Sequence, residues 1–184
     1  MSFQILAREY LVQLERTIRD AQSSREMTGE LSYRPILHEF ISGVCRSINE
    51  NIVVVYEPRQ QSRAGKPDWR FHNRQSLGLY GYVEAKALDL VNRLSVSDYQ
   101  SQVNRYLSLG NRIILTDGVD FLFIDPDGTQ SIHSLVQKPI ILDSLSTTAL
   151  NITLEHKFAD YFSQTNFRSI SESQLIFEVA SRAK

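Results

Sequence analysis

The segment 79–87 restricts the possible folds most, because it has the composition of a strand in the middle of a sheet. Tyr80, Tyr82 and Val83 lie within it, and Leu88 follows directly. Strands that are covered on both faces are typically rich in such apolar residues, whereas edge strands carry charges or proline. We therefore expect a central strand here, with the rest of the chain arranged around it.

Helical and strand-like patterns alternate along the chain. Apolar residues three and four positions apart predict an amphipathic helix over 3–21 and a second helix over 30–49. Short apolar runs predict strands at 52–56, 68–72, 79–87, 112–115, 119–124 and 132–136, with helical periods at 97–109 and again from about 147. This order predicts a mixed α/β domain over 1–146, which includes the N-terminal helix, and a helical tail over 147–184 that leads towards a following domain.

Length and composition limit the class of protein further. The 184 residues suit a single domain with a core of its own. Lys+Arg number 20 and Asp+Glu 21, which excludes a histone-like polycation but not a local basic patch. The single cysteine, Cys45, excludes a disulfide framework, and no apolar run approaches the roughly 20 residues that span a bilayer. We therefore expect a cytoplasmic protein without a membrane partner.

Two acidic residues and a lysine fall on neighbouring predicted strands. Glu84 and Lys86 share one strand face, and Asp68 follows Pro67 where a hairpin could bring it beside Glu84. Converging carboxylates repel each other unless a cation lies between them, and hard oxygen ligands suit Mg²⁺ or Mn²⁺. A lysine on the same face can hold or deprotonate an attacking water. The pattern indicates metal-assisted phosphodiester hydrolysis, and the alternative is a set of solvated surface charges.

The second predicted helix carries two further acids on different faces. Glu30 lies on the side of the apolar stripe and faces the sheet, whereas Glu39 lies on the opposite, solvent side. An acid that faces the protein interior needs a partner, so Glu30 is a candidate third metal ligand. A favourable contact with the helix N-terminus is the alternative interpretation.

Polar and basic side chains near these acids are candidates for substrate contacts. Gln102 and Tyr106, four positions apart on the predicted helix 97–109, could hydrogen-bond a substrate phosphate or Lys86. By default Tyr106 is interpreted as a core residue, whereas a structural and a functional role are equally favoured for Gln102. A basic run could follow a phosphate backbone despite the neutral total charge. This run comprises Arg59, Arg63, Lys66, Arg70 and Arg74.

Six blocks of sequence, in order over roughly residues 28–124, resemble a known family. They are Glu30-Leu31-Ser32-Tyr33-Arg34-Pro35, Glu57-Pro58, Gly65-Lys66-Pro67-Asp68, Gly81-Tyr82-Val83-Glu84-Ala85-Lys86, Gln102-Val103-Asn104-Arg105-Tyr106-Leu107 and Ile114-Leu115-Thr116-Asp117. Together they resemble the PD-(D/E)xK nuclease superfamily, with the Q-x-x-x-Y element of RecB-type nucleases. More narrowly, they are similar to the N-terminal nuclease domain of large single-chain restriction–modification enzymes of the Type ISP kind.

The resemblance implies a fold and a role for each matched residue. The fold is restriction-endonuclease-like, with a central mixed β-sheet flanked by helices and a helical C-terminal tail. Asp68 and Glu84 match the ligands of the divalent metal, Mg²⁺ with Mn²⁺ able to substitute, and Lys86 matches the catalytic lysine. Glu30 matches the helix acid, while Gln102 and Tyr106 match the supporting helix motif.

The resemblance also implies an activity and its partners. It predicts a Mg²⁺-dependent DNA endonuclease that takes part in restriction of phage DNA in the cytoplasm of a prokaryotic cell. The partners would be double-stranded DNA, a methyltransferase and motor region in the same parent chain, and a second nuclease domain that meets the first on DNA. Two alternatives stay open at this point: a catalytically idle DNA-binding or assembly module, and an end-directed nuclease with the same chemistry.

Overall fold

The computed structural model describes six stretches of the chain: residues 1–23, 30–58, 66–88, 94–108, 110–138 and 144–163. The side chains of Gln22, Glu30 and Leu31 lie outside what it describes.

Two long helices begin the fold, as their apolar periods predict. They are α1 (Phe3–Ser23) and α2 (Glu30–Ile48). Both bury a stripe of side chains spaced by three or four residues, because 3.6 residues per turn bring such positions to one face. Glu39 is exposed on α2, as its predicted position on the solvent side requires.

The described residues form a six-stranded mixed sheet whose spatial order equals the chain order. The strands are β1 (Ile52–Tyr56), β2 (Trp69–Asn73), β3 (Leu79–Ala85), β4 (Ile113–Thr116), β5 (Asp120–Ile124) and β6 (Gln130–Ser134). Every neighbouring pair is antiparallel except β3 and β4, which are parallel. A parallel pair needs a crossover, and here it contains a short 3₁₀ helix, Val96–Tyr99, followed by α3 (Gln100–Leu107). β3 is thus a central strand, as predicted.

The two faces of the sheet are covered unequally. One face packs against α1, α2 and α4 (Thr153–Ser163) in a large core that contains Trp69, Phe121 and Phe158. The other face packs a smaller cluster against α3, where Val103 and Tyr106 are fully buried. Because successive strand residues point to opposite faces, β4 and β5 contribute side chains to both cores.

The predicted C-terminal tail begins with a helix that belongs to the main core. In α4, Leu154, Phe158, Tyr161 and Phe162 are buried in that core. Tyr161 packs so closely on β3 that a Cβ at Gly81 would meet its hydroxyl, and the same Cβ would lie 2.6 Å from the Arg112 carbonyl oxygen. The predicted helix is confirmed, and its first part is a packed element rather than a spacer. Residues 164–184 lie outside the described residues, so the boundary at 146 stays a prediction.

Element boundaries differ from the sequence prediction by a few residues. β6 covers 130–134 instead of 132–136, and Val136 forms a separate bridge with Leu150. Cys45 is buried in the main core, and burial raises the pKa of its thiol. None of the helices within the described stretches is both long enough and apolar enough to cross a bilayer.

Candidate active site

The two predicted carboxylates meet at one edge of the sheet, where β2 begins and β3 ends. Trp69 pairs with Val83 in the antiparallel register, which brings Asp68, one residue earlier, beside Glu84, one residue later. The Asp68 carboxylate binds β3 directly, because its Oδ2 accepts a hydrogen bond of 2.8 Å from the Ala85 backbone N–H. Both acids are buried, each with 7% of its surface exposed. The hairpin interpretation of Asp68 therefore agrees with the structure.

An arginine that the sequence analysis assigned no role completes the environment of Asp68. Arg34 Nη2 lies 2.7 Å from Asp68 Oδ1, and the two side chains are only 11% and 9% exposed. Arg34 lies four residues after Glu30 in α2, on the same side of the helix, since residues four apart are neighbours on a helix surface. That spacing was the available signal, but the contact with Asp68 depends on how α2 packs against the sheet.

Glu84 is held by side chains of α3. Gln102 Nε2 donates a hydrogen bond to Glu84 Oε1, and the Tyr106 hydroxyl lies 3.4 Å from Oε2. The Lys86 ammonium lies 3.8 Å from Oε1. The structure therefore brings Gln102 and Tyr106 to the Glu84 carboxylate. Tyr106 is fully buried in the smaller core, and its hydroxyl group contacts the site.

Lys86 is fixed by its side chain and by its backbone. Its Nζ donates a hydrogen bond of 2.7 Å to Gln102 Oε1 and lies 4.6 Å from the centre of the Tyr99 ring, in a cation–π contact. Its backbone N–H donates to the Thr116 carbonyl at 2.8 Å, and its carbonyl accepts from the Tyr33 hydroxyl. Tyr99 and Tyr33 are further residues whose contacts with Lys86 the sequence did not reveal.

The electrostatics of this edge suit a divalent cation. Burial raises the pKa of Glu84 to about 7, and the neighbouring charge of Asp68 adds to that rise, against the lowering effects of Lys86 and Gln102. Two buried carboxylates whose ionisation is mutually unfavourable form the oxygen-only donor set that Mg²⁺ or Mn²⁺ prefers. The residues present therefore fit such an ion. Within the described residues, no group of three or more His, Cys, Asp or Glu is gathered in a metal-binding arrangement.

A second pair of buried acids lies one strand away, after β4. Asp117 Oδ1 accepts hydrogen bonds from the backbone N–H groups of Val119 and Asp120, at 2.9 and 2.7 Å. Asp120 Oδ2 lies 2.8 Å from the Lys138 ammonium. Burial raises the pKa of Asp117 to about 7 as well. These two acids close the turn between β4 and β5.

Of the remaining predicted residues, those that the structure describes do not gather at the site. The side chain of Glu30, and all of Arg59 and Arg63, lie outside the described residues. Lys66 is exposed and lies 3.7 Å from Glu57, and Arg74 is exposed beyond the far end of β2, roughly 16 Å along the strand from its start. Arg70 is half-buried on β2 between them. The described members of the basic run therefore do not form one compact basic patch.

Comparison with known proteins identifies the fold. No protein-family profile and no curated protein sequence matches the chain. Two solved structures resemble it: the cryo-EM structure of a DrdV–DNA complex, with a TM-score of 0.60 and 16% identity over 90% of this chain, and the type IIG restriction endonuclease BpuSI, with 0.53 and 17% over 73%. The chain spans only 14% and 17% of the lengths of those proteins. The predicted restriction-endonuclease-like fold, a mixed sheet flanked by helices, is confirmed.

Proposed function

We propose that the chain is a metal-dependent DNA endonuclease domain that hydrolyses phosphodiester bonds. The observation that carries the proposal is the convergence of Asp68, Glu84 and Lys86 at one buried sheet edge. The fold supports it, since one structural neighbour is a restriction endonuclease and the other was solved with DNA. Acidic ligands and a fixed ammonium group are the residue types that metal-assisted phosphodiester hydrolysis requires.

Asp68 and Glu84 would hold the metal ion, Mg²⁺ with Mn²⁺ as a substitute, and Glu30 is the candidate third ligand. When bound, such an ion polarises a phosphoryl oxygen and lowers the pKa of a coordinated water. The protein's contribution is to hold the two carboxylates within one buried edge. The Ala85 N–H fixes Asp68, and Gln102 with Tyr106 fixes Glu84.

Lys86 would act on the water or on the phosphate, and its contacts restrict where its ammonium can lie. Gln102 bridges Lys86 and Glu84, accepting from the former through Oε1 and donating to the latter through Nε2. The Tyr99 ring covers another side of the ammonium. A positioned cation beside the scissile phosphate stabilises the charge that develops in the transition state.

The substrate and the cellular context belong to the same proposal. Duplex DNA is the proposed substrate, and restriction of phage DNA in a prokaryotic cytoplasm is the proposed role. In the Type ISP-like arrangement, a methyltransferase and motor region of the same parent chain would supply target recognition. A second nuclease domain would cut the other strand.

Plasmid nicking tests the proposed function. The purified 184-residue chain is incubated with supercoiled plasmid and Mg²⁺ or Mn²⁺, and conversion to the nicked and linear forms is followed on a gel. We expect conversion with either metal and none after EDTA. Failure to nick with both metals, or equal nicking by Asp68→Asn, would contradict the proposal and favour an idle module. Equal activity on supercoiled and closed-circular relaxed plasmid would exclude an end-directed mode.

A further inference from the structure

Among the described side chains of the candidate site, two cations lie against the two carboxylates, and this arrangement has a consequence for metal binding. Arg34 lies 2.7 Å from Asp68, and Lys86 lies 3.8 Å from Glu84. All four side chains are nearly buried, with exposures between 9% and 11%. Once Glu84 is ionised, the formal charges of the four cancel. Each carboxylate therefore already has a cation of the protein beside it, with which a metal ion would compete.

A divalent cation added to this cluster would give it two uncompensated positive charges. Burial makes such an excess costly, because low local polarity strengthens repulsion between like charges. The cost falls if an anion enters together with the cation, and a phosphodiester supplies one negative charge and acceptor oxygens. Arg34 is the cation that such an anion would engage, since its planar fork matches phosphate as well as carboxylate.

We propose that Arg34 is a positioning residue that makes divalent-cation binding at Asp68 and Glu84 depend on a DNA phosphate. When DNA binds, a phosphate replaces Asp68 as the ion-pair partner of the Arg34 guanidinium. The Asp68 carboxylate can then bind the metal. Lys86 lies farther from Glu84, at 3.8 Å, and is held by Gln102, so we assign the exchange to Arg34. The inference rests on the proposed function, because it concerns the same two ligands and the same substrate.

Metal binding measured without catalysis tests the inference. Free Mn²⁺ is followed by electron paramagnetic resonance while the full chain is titrated, with and without a short phosphorothioate duplex that resists cleavage. For the wild type we expect the duplex to tighten Mn²⁺ binding by about tenfold or more, within the usual range of coupling between two sites. If the duplex does not change the affinity of the wild type for Mn²⁺, the inference is wrong, whatever the variants show.

Three variants assign the coupling to Arg34. Arg34→Gln is expected to bind Mn²⁺ about tenfold more tightly than the wild type without DNA, and to gain less than about threefold from the duplex. Arg34→Lys keeps the charge and is expected to retain weak binding in the absence of DNA. Arg16→Gln removes an exposed positive charge 3.9 Å from Asp20 on α1 and serves as the matched control, with wild-type behaviour expected.

The two proposals fail in different ways. If Arg34→Gln binds Mn²⁺ no more tightly than the wild type without DNA, while Asp68→Asn loses Mn²⁺ binding, the role of Arg34 is wrong and the metal site stands. If the wild type and Asp68→Asn bind Mn²⁺ equally, the metal site of the proposed function is wrong. Thermal melting of each variant confirms that the compared proteins are folded.

Discussion

Two buried acidic pairs lie side by side at the same edge of the sheet, and they differ in what binds them. Asp68 and Glu84 are held mainly by side chains, namely an arginine, a lysine, a glutamine and a tyrosine. Asp117 is held by backbone N–H groups within its own turn, and Asp120 by Lys138. The first pair joins residues far apart in the sequence, whereas the hydrogen bonds of Asp117 are local.

The comparison shows that burial and a raised pKa do not by themselves identify a reactive carboxylate. Glu84 and Asp117 are both buried, and burial raises the pKa of each to about 7. Asp117 is nevertheless explained by the turn that it closes. In contrast to Asp117, both acids of the first pair have charged or polar side chains as partners, and these can exchange partners with a substrate and a metal.

The largest expected difference between the two pairs concerns cleavage after loss of one charge. Asp68→Asn keeps the acceptor for the Ala85 N–H but loses the anionic metal ligand. The cleavage rate should fall by about a thousandfold or more, because the metal ion stabilises the transition state by several kcal/mol. Asp120→Asn should retain cleavage within about threefold. Single-turnover cleavage of plasmid by both variants measures the ratio. Equal losses would show that the comparison is mistaken.

The two lysines provide the next test. Lys86→Ala should lower single-turnover cleavage by at least about a hundredfold, the usual scale for one positioned proton-transfer or charge-stabilising group. DNA binding should change little, because a single cation supplies only part of the attraction to the phosphate backbone. Lys138→Ala should cleave within about twofold of the wild type. A loss of binding without a loss of cleavage per bound complex would make Lys86 a phosphate anchor.

The two pairs should contribute alike to stability without metal and differently when metal is present. The pKa of Glu84 rises from 4.5 to about 7 and that of Asp117 from 3.8 to about 7, so the folded protein retains protons that the unfolded chain releases. The free energy of unfolding should therefore fall as the pH rises from about 4 to about 7, by up to about 3 kcal/mol for Glu84 and about 4 kcal/mol for Asp117.

Denaturant unfolding across this pH range, with and without Mg²⁺, separates the two residues. Glu84→Gln and Asp117→Asn should each flatten the pH dependence. Mg²⁺ at pH 8, in excess over its Kd for the DNA-free protein, should stabilise the wild type and Asp117→Asn, because ionised Glu84 is a proposed metal ligand and Asp117 is not. It should have no effect on Glu84→Gln. Stabilisation of Glu84→Gln by Mg²⁺ would remove Glu84 from the metal site.

The smallest expected effect concerns Glu30 as a third metal ligand beside Asp68 and Glu84. Glu30→Gln should lower cleavage by about tenfold if its side chain adds to the metal ligands, an effect of the size that ligand-supporting groups show. Glu39→Gln, on the exposed side of the same helix, should be indistinguishable from the wild type. The reverse result would mean that the assigned orientation of α2 is wrong.

The sequence predicted the parts of this edge that depend on local rules. Strand alternation placed Glu84 with Lys86, and helical spacing placed Gln102 with Tyr106; all four meet in the structure. It did not predict the contact of Arg34 with Asp68, because that contact depends on the packing of α2 against the sheet rather than on any period.

The same limit applies to α4 and to the basic run. Apolar spacing predicted the helix, but only the close approach at Gly81 and the aromatic packing show that it belongs to the core. Lys66 and Arg74, the first and last described cations of the basic run, are close in sequence, yet the extended strand β2 lies between them. Proximity along the chain was therefore a poor guide to proximity in space.

The parallel pairing of β3 with β4 also determines when the candidate site can assemble during synthesis of the protein. Asp68, Glu84 and Lys86 leave the ribosome before β4, but the Lys86 backbone is fixed by the Thr116 carbonyl and its side chain by Gln102. Domains form as the chain emerges from its N-terminus, and a parallel neighbour pairs only after its crossover has been synthesised. A nascent chain that ends before residue 116 would therefore carry the proposed catalytic residues without the contact that fixes the Lys86 backbone, and the proposed cleavage of DNA would begin only after β4 has emerged.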